Sequence, residues 1–342
     1  MKGVVYLGES KVEVREFPDP KPGPRQAVLE MKVAGLCGSD LHKYHSNREW
    51  ADARHGMISG HEPAGVIVEV GPDVDELSVG DRVCVYHRTG CGNCADCRAG
   101  YAAFCEVGGG AFGRTQDGSH ADFMLTDAHY CLLLPDEISF SVGTQLACTA
   151  GTAFSALTKL PARAGDAILV FGLGPVGLAG LLLGVGKGYR AIGVDVEPYR
   201  IGLAKAIGGG TVIDARNEDV LEKVRDLTDG KGVAGVLECS GSSVARKQAT
   251  GVAGRGATVV FVGHGSPEIP IEIGELLRND LTVKGNVVFS MASYHEAVNL
   301  LLRKAVPLDR MVTHRFKIEQ AVEAFALFDT GKTGKVVFDW DA

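Results

Sequence analysis

The stretch "ILVFGLGPVGLAGLLLG", residues 168–184, admits few folds. A short apolar strand runs into Gly172, Gly174 and Gly177 in G-x-G-x-x-G register, and a helix opens at once. The first glycine permits a tight turn, the second lets backbone approach a pyrophosphate, and the third allows close strand–helix packing. Leu173, Pro175 and Val176 fill the intervening positions, where backbone amides at a helix N-terminus favour an anion. The next strand, "AIGVDV" (191–196), carries Asp195 eighteen residues after Gly177. A carboxylate there accepts hydrogen bonds from an adenosine ribose and repels a 2′-phosphate, which favours NAD over NADP. Arg200, five residues on, is a candidate contact to phosphate or ribose and tempers that preference. A chance turn followed by a surface aspartate is the bland alternative, and the strand–loop–helix–strand context argues against it.

The alternation continues through "PYRIGLAKAIG", "GVLECSG" (235–241) and "ATVVFVG" (257–263) and ends near Lys284. Such a rhythm predicts an α/β unit: a doubly wound parallel sheet with helices on both faces. Residues 1–150 read differently. "AVLEMKVAGL" (27–36), "GVIVEVG" (65–71) and "DRVCVYH" (81–87) are short alternating runs between turn residues, as in a β-rich, barrel-like domain. Beyond Lys284, "SYHEAVNLLLRKAV" and "EQAVEAFALFDTGK" read as amphipathic helices before a last strand, "KVVFDW".

A formal charge of −7 argues against nucleic acid as a partner. No apolar run approaches the roughly 20 residues needed to cross a bilayer, and the first residues read as a strand or hairpin rather than a signal peptide. A cytoplasmic chain is expected, in which thiols stay reduced. That makes "CGNCADCRAGYAAFC" (91–105) informative, because Cys91, Cys94, Cys97 and Cys105 crowd one loop. Four thiolates at this spacing suit a structural zinc, which cross-links a segment that has no core of its own. An iron–sulfur centre is the alternative, but the ferredoxin run ends C-x3-C-P, whereas here the final gap is seven residues and Glu106 follows; no thioredoxin-like context supports a redox pair. The zinc would be closed to chemistry. Further soft ligands are dispersed: Cys37 in "GLCGSDLH", His61 and Glu62 in "SGHEPAG", and Cys148 in "QLACTAGTAF". Spacing alone does not join them, since Cys148 also reads as a small core residue and His61 as a packed histidine.

In order along essentially the whole chain, "CGSDLH", "GHEPAGVIVEVGPDV", the four-cysteine loop, "CTAGT" and "GLGPVG…GVD" resemble the motifs of the medium-chain, zinc-dependent alcohol dehydrogenases. The resemblance implies a GroES-like catalytic domain over residues 1–149 and 286–342, a Rossmann domain over 150–285, and an active site in the cleft. It implies that Cys37, His61 and Cys148 hold a catalytic zinc with one open position, so that the chain carries two zinc ions. Glu62 would sit behind the metal or ligate it transiently. Ser39 would take the proton of a bound alcohol, His42 would pass it to solvent through the nicotinamide ribose, and Asp40 would orient His61. Thr152, Gly263, His264 and Asn286 would lie near the nicotinamide. Two thiolates neutralise the ion yet leave it a Lewis acid able to favour the alkoxide and hydride release.

The activity implied is NAD-dependent oxidation of primary or secondary alcohols to aldehydes or ketones by a homotetramer or homodimer. A polyol, hydroxy-acid or threonine 3-dehydrogenase would use the same machinery. Many polyol and threonine enzymes place a carboxylate near the position of Cys148, which tilts this chain towards the alcohol pattern. A zinc-free reductase would lack the ligand trio, and a non-enzymatic NAD sensor would be expected to lose Ser39 and His42. His45, His55, His120, His129, His295 and His314 are expected to be surface or packing residues. His87 falls where family members place an apolar pocket residue, and with Arg88 it hints at a polar substrate.

Overall fold

The computed structural model describes residues 1–53, 56–268 and 272–342. The chain divides into two compact units: Met1–Thr149 with Ser290–His295 and Val312–Ala342, and Ala150–Phe289 with Glu296–Met311. The resemblance implied one continuous return from residue 286, whereas 286–289 and 296–311 cluster with the second unit. The cause is local packing. Val306 fills the space that a side chain at Gly186 would need, and Arg310 donates to the Ala206 carbonyl at 2.9 Å.

The strands in chain order are β1 (Lys2–Gly8), β2 (Lys11–Glu16), β3 (Gln26–Gly35), β4 (Pro63–Val70), β5 (Arg82–Val85), β6 (Arg88–Thr89), β7 (Gly110–Ala111), β8 (Phe123–Asp127) and β9 (Cys131–Leu133). Then follow β10 (Ala167–Phe171), β11 (Arg190–Asp195), β12 (Thr211–Asp214), β13 (Val233–Glu238), β14 (Ala253–Phe261), β15 (Thr282–Gly285), β16 (Val312–Phe316) and β17 (Lys335–Asp339).

In the first unit β1 and β2 form the expected hairpin, and the main sheet runs β16-β17-β3-β4-β5-β9 with β8 also on β3. Its pairings are antiparallel except β16–β17. Val4, Tyr6, Leu36, Tyr44, Phe325 and Phe338 anchor its core, each buried aliphatic or aromatic group contributing about 1.5–3 kcal/mol. After β3 the chain turns straight into a helix, Gly38–Tyr44. A later helix, Phe140–Ala147, starts where the Ser139 hydroxyl accepts the Val142 N–H at 3.2 Å. It is broken from the next helix, Thr149–Thr158, by Cys148 at φ −147° and ψ −71°.

The second unit is the doubly wound sheet anticipated from sequence. Its order is β12-β11-β10-β13-β14-β15, parallel throughout. β10 reads "AILVF" with every residue buried, as a strand covered on both faces requires. The order reverses between β10 and β13, a switch point at which such sheets bind ligands beyond the strand carboxyl ends. Among the described residues no helix is long and apolar enough to cross a membrane.

Candidate active site and metal centres

Three separate segments of the first unit converge on one buried cluster. Cys37 precedes the helix Gly38–Tyr44, His61 and Glu62 precede β4, and Cys148 occupies the helix break. Their ligand atoms all lie within 4.8 Å of one another. Asp40, in the first turn of the Gly38–Tyr44 helix, orders the imidazole: His61 Nδ1 faces its Oδ1 at 3.2 Å. The same carboxylate accepts the Cys37 N–H at 2.9 Å, the Tyr6 hydroxyl at 2.9 Å and Lys43 Nζ at 3.3 Å. Ser39 Oγ stands 3.3 Å from His61 Nε2. His42 lies one helical turn beyond Ser39, on the same face and exposed.

The electrostatics ask for a cation. Burial alone would lower the His61 imidazole, yet Asp40 and Cys37 push it up to about 10. Burial would raise Asp40, but His61 and Lys43 hold it well below the usual carboxylate range. The hydrogen bond between the two thiols pulls Cys37 down and drives Cys148 up, so that one thiolate is favoured between them. Two sulfurs and an imidazole nitrogen are a zinc donor set, and the carboxylate behind His61 is the partner such a ligand needs. The residues fit the metal.

Glu62 is held from behind by a residue that sequence reading missed. Lys335, fully buried in β17, pairs with Glu62 Oε2 and donates to Thr149 Oγ1 at 2.9 Å and to the Leu36 carbonyl at 2.8 Å. Thr149 in turn donates to Glu62 Oε1 at 2.6 Å. Burial raises the Glu62 carboxyl, Lys335 opposes it, and the net result is about 7. The available signal was a charged residue opening the wholly buried strand "KVVFD".

His87 is buried beside the cluster, its ring centroid 5.4 Å from that of His61. Its Nδ1 donates to the Ala147 carbonyl at 2.8 Å, and burial lowers it to about 3. The ring is therefore neutral. Of the remaining histidines, His120 is buried between Ser59 Oγ at 2.9 Å and the Gly35 carbonyl at 3.2 Å. His45 is exposed and pairs with Asp329 at 2.8 Å. His129 and His295 are exposed and His314 is half-buried. His55 lies outside the described residues.

In the cysteine loop the four sulfurs of Cys91, Cys94, Cys97 and Cys105 also lie within 4.8 Å of one another. The Cys94 N–H donates to Cys91 Sγ at 3.3 Å, and the Cys91 N–H to Cys105 Sγ at 3.2 Å. Backbone amides lower Cys91, Cys94 and Cys105, while burial pushes Cys97 up to about 12. Amide-stabilised thiolates at this spacing fit a tetrahedral, closed metal site.

In the second unit the glycine loop has the expected form. Gly172 adopts φ +80°, and a Cβ there would lie 2.7 Å from Ser240 Cα. A Cβ on Gly177 would lie 1.7 Å from the Gly172 carbonyl oxygen. Gly174 caps the helix Pro175–Gly186, and a Cβ there would meet nothing within 4 Å. Packing does not demand that glycine; the open cradle suits a phosphate. Asp195 ends β11 buried, its Oδ2 accepting the Leu173 N–H at 2.5 Å and its Oδ1 the Val196 N–H at 2.7 Å. Arg200 Nη1 stands 3.9 Å from Asp195. Val176 follows Pro175 in the helix's first turn. Thr152 is buried in the helix Thr149–Thr158, its carbonyl accepting Asn286 Nδ2 at 3.3 Å.

A unit with a thiolate–imidazole cluster and, in the same chain, a parallel sheet with a dinucleotide loop define a class of zinc-binding dehydrogenases. Residues 23–136 match the family described as alcohol dehydrogenase GroES-like domain, and residues 175–303 that described as zinc-binding dehydrogenase. The chain is 37% identical over 349 residues to the zinc-type alcohol dehydrogenase-like protein YphC of Escherichia coli K12, covering 98% of each chain. It is 35% identical over 336 residues to L-threonine 3-dehydrogenase of Pyrococcus furiosus, covering 96% of this chain and 95% of that one. The solved alcohol dehydrogenase TADH from Thermus sp. ATN1 superposes with TM-score 0.90 at 28% identity, covering 99% of each chain. The chain belongs to the zinc-dependent medium-chain dehydrogenase/reductase family and is an oxidoreductase of the alcohol dehydrogenase type.

Proposed function

We propose that the chain oxidises a small alcohol, or reduces the matching carbonyl compound, with NAD and two zinc ions. Cys37, His61 and Cys148 would hold the catalytic ion and the four-cysteine loop the structural one. The observation that carries this is the convergence of two thiols, one carboxylate-braced imidazole and Ser39 within a single buried cluster. When bound, zinc supplies Lewis acidity towards the alcohol oxygen and NAD supplies the hydride acceptor. Ser39 Oγ, half-buried 3.3 Å from His61 Nε2, accepts the hydroxyl proton as it passes its own on. His42, exposed one turn along, delivers it to solvent, a role suited to an imidazole. Asp40 holds His61 in one orientation, and the Lys335–Thr149 pair holds Glu62.

Gly172 to Gly177 would cradle the pyrophosphate, with Asp195 reading the adenosine ribose, Arg200 beside it and Thr152 towards the nicotinamide. We assign residues 1–149 and 286–342 to the catalytic domain in function and 150–285 to the coenzyme domain, the packing of 296–311 notwithstanding. The edge strand β15 is exposed along its length, which supports a homodimer or homotetramer built by edge pairing. A cytoplasmic setting, in which thiols stay reduced, suits the two cysteine clusters.

A second reading, a polyol or threonine 3-dehydrogenase, is favoured by His87. A polar ring buried beside the cluster suits a substrate with a further polar group, such as a second hydroxyl or an ammonium group. The deciding experiment is NADH formation against simple, aromatic and polyhydric alcohols, hydroxy acids and threonine, with zinc quantified. Selective turnover of monohydric alcohols supports the first reading, and of polyols or threonine the second. No turnover with both ions present would refute both.

A further inference from the structure

The second unit holds a buried ion pair that the chemistry above does not use. Glu238 ends β13 fully buried, and Arg246 in the helix Ser243–Gly251 places Nε 3.5 Å from Glu238 Oε2. Buried charges persist only where their remaining lone pairs and protons find partners. Here the partners are loop backbone. Glu238 Oε1 accepts the N–H of Ser240 at 2.7 Å and of Gly241 at 3.0 Å, and the Ser240 hydroxyl at 2.5 Å. Arg246 donates Nη2 to the Gly263 carbonyl at 2.9 Å and Nη1 to the Ser266 carbonyl. One pair therefore clamps the turn after β13 to the segment after β14.

The two loops meet backbone against backbone. A Cβ on Gly241 would lie 2.0 Å from the His264 oxygen, and one on Gly263 would lie 2.4 Å from the Gly241 nitrogen. The Ser266 N–H donates to the Gly241 carbonyl at 3.0 Å. The same turn abuts Gly172 through Ser240, so the dinucleotide loop and both later loops form one platform. This platform caps the carboxyl ends of β13 and β14, across the switch point from Asp195 on β11. A dinucleotide with its adenosine half at Asp195 must lay its other half over those ends.

We propose that Arg246 is a positioning residue whose guanidinium fork sets the Gly263–Ser266 backbone against the Ser240–Gly241 turn and so shapes the seat of the nicotinamide half of the cofactor. The inference rests on the NAD reading. Its test is calorimetric titration of the wild-type protein, Arg246→Ala and Arg246→Lys with NADH and, separately, with ADP-ribose, which lacks the nicotinamide. Arg246→Ala should raise the NADH Kd by about tenfold or more while ADP-ribose affinity changes by less than about twofold. Arg246→Lys keeps the charge beside Glu238 but lacks a fork for two carbonyls, and should fall between. Unchanged NADH affinity in Arg246→Ala would overturn the proposal. Equal weakening of both ligands would too, because it marks a merely structural role. Should Arg246→Ala not fold, Arg246→Lys against wild type decides on the same comparison. Wild-type protein that binds neither ligand would instead bring down the NAD reading, and this inference with it.

Discussion

Lys335 shows how one side chain organises chemistry it does not perform. Fully buried among Glu62, Thr149 and the Leu36 carbonyl, it brings positive charge to within reach of a cluster rich in anions. Removing one partner of such a pair typically costs about 3–5 kcal/mol, because the other charge is stranded. Cys148 acts more directly. Cys148→Ala should lower zinc by about one ion per chain and abolish turnover while far-UV circular dichroism stays native. Full activity in that variant would sink the assignment of Cys148 as a ligand. His120 carries a pH dependence. Burial depresses its imidazole from 6.5 to about 4, so the fold holds it neutral. Its contribution is whole above pH 6.5 and drains as pH falls towards 4, by roughly 3 kcal/mol in all. His120→Asn should flatten the fall in stability over that window, as urea unfolding at pH 7 and 4.5 would show. An unchanged slope would mean that another group takes up the proton.

At the scale of the element, the glycine loop separates two roles that share a residue type. Gly177→Ala drives a methyl into the Gly172 carbonyl and should lower thermal stability, whereas Gly174→Ala meets open space and should leave it intact. Both should weaken NADH binding, Gly174→Ala without loss of fold. Equal melting temperatures for the two would show that the loop relaxes. This loop and the four-cysteine loop were legible in the sequence because each concentrates its meaning in one short stretch with fixed spacing. The trio Cys37, His61 and Cys148 was not legible from spacing, since the chain brings it together only through β3, β4 and a helix break. It emerged through resemblance. Lys335, Thr149 and the Glu238–Arg246 clamp stayed hidden for a related reason. Each is an ordinary residue in its own segment, and its partner is set by tertiary packing.

For the whole molecule, the edge of the parallel sheet carries the sharpest expectation. β15 presents an exposed strand with Val283 37% exposed, an arrangement that invites pairing with a second copy. If a second copy pairs here, Val283→Lys puts a charge on that edge and should lower the mass that light scattering gives for the wild type. A wild-type mass of one chain, or a mass unchanged in the variant, would show that this edge makes no subunit contact. The alternation of strand and helix made the parallel sheet readable in advance, but the reach of 296–311 into the second unit depended on Val306 and Arg310 finding partners far away in the chain.

The position of β17 has a consequence for synthesis. It lies between β16 and β3 in the first unit's sheet and carries Lys335 to Glu62, yet it is translated after the whole second unit. At about 5–20 residues per second, the ribosome needs roughly 10–40 s to travel from Thr149 to Lys335. Throughout that interval the nascent first unit holds every cysteine and histidine of its two clusters but lacks the strand that closes its sheet. The second unit, nearly contiguous, is free to fold meanwhile. The first unit thus begins before the second and finishes after it, with both of its thiol clusters made long before its sheet is whole.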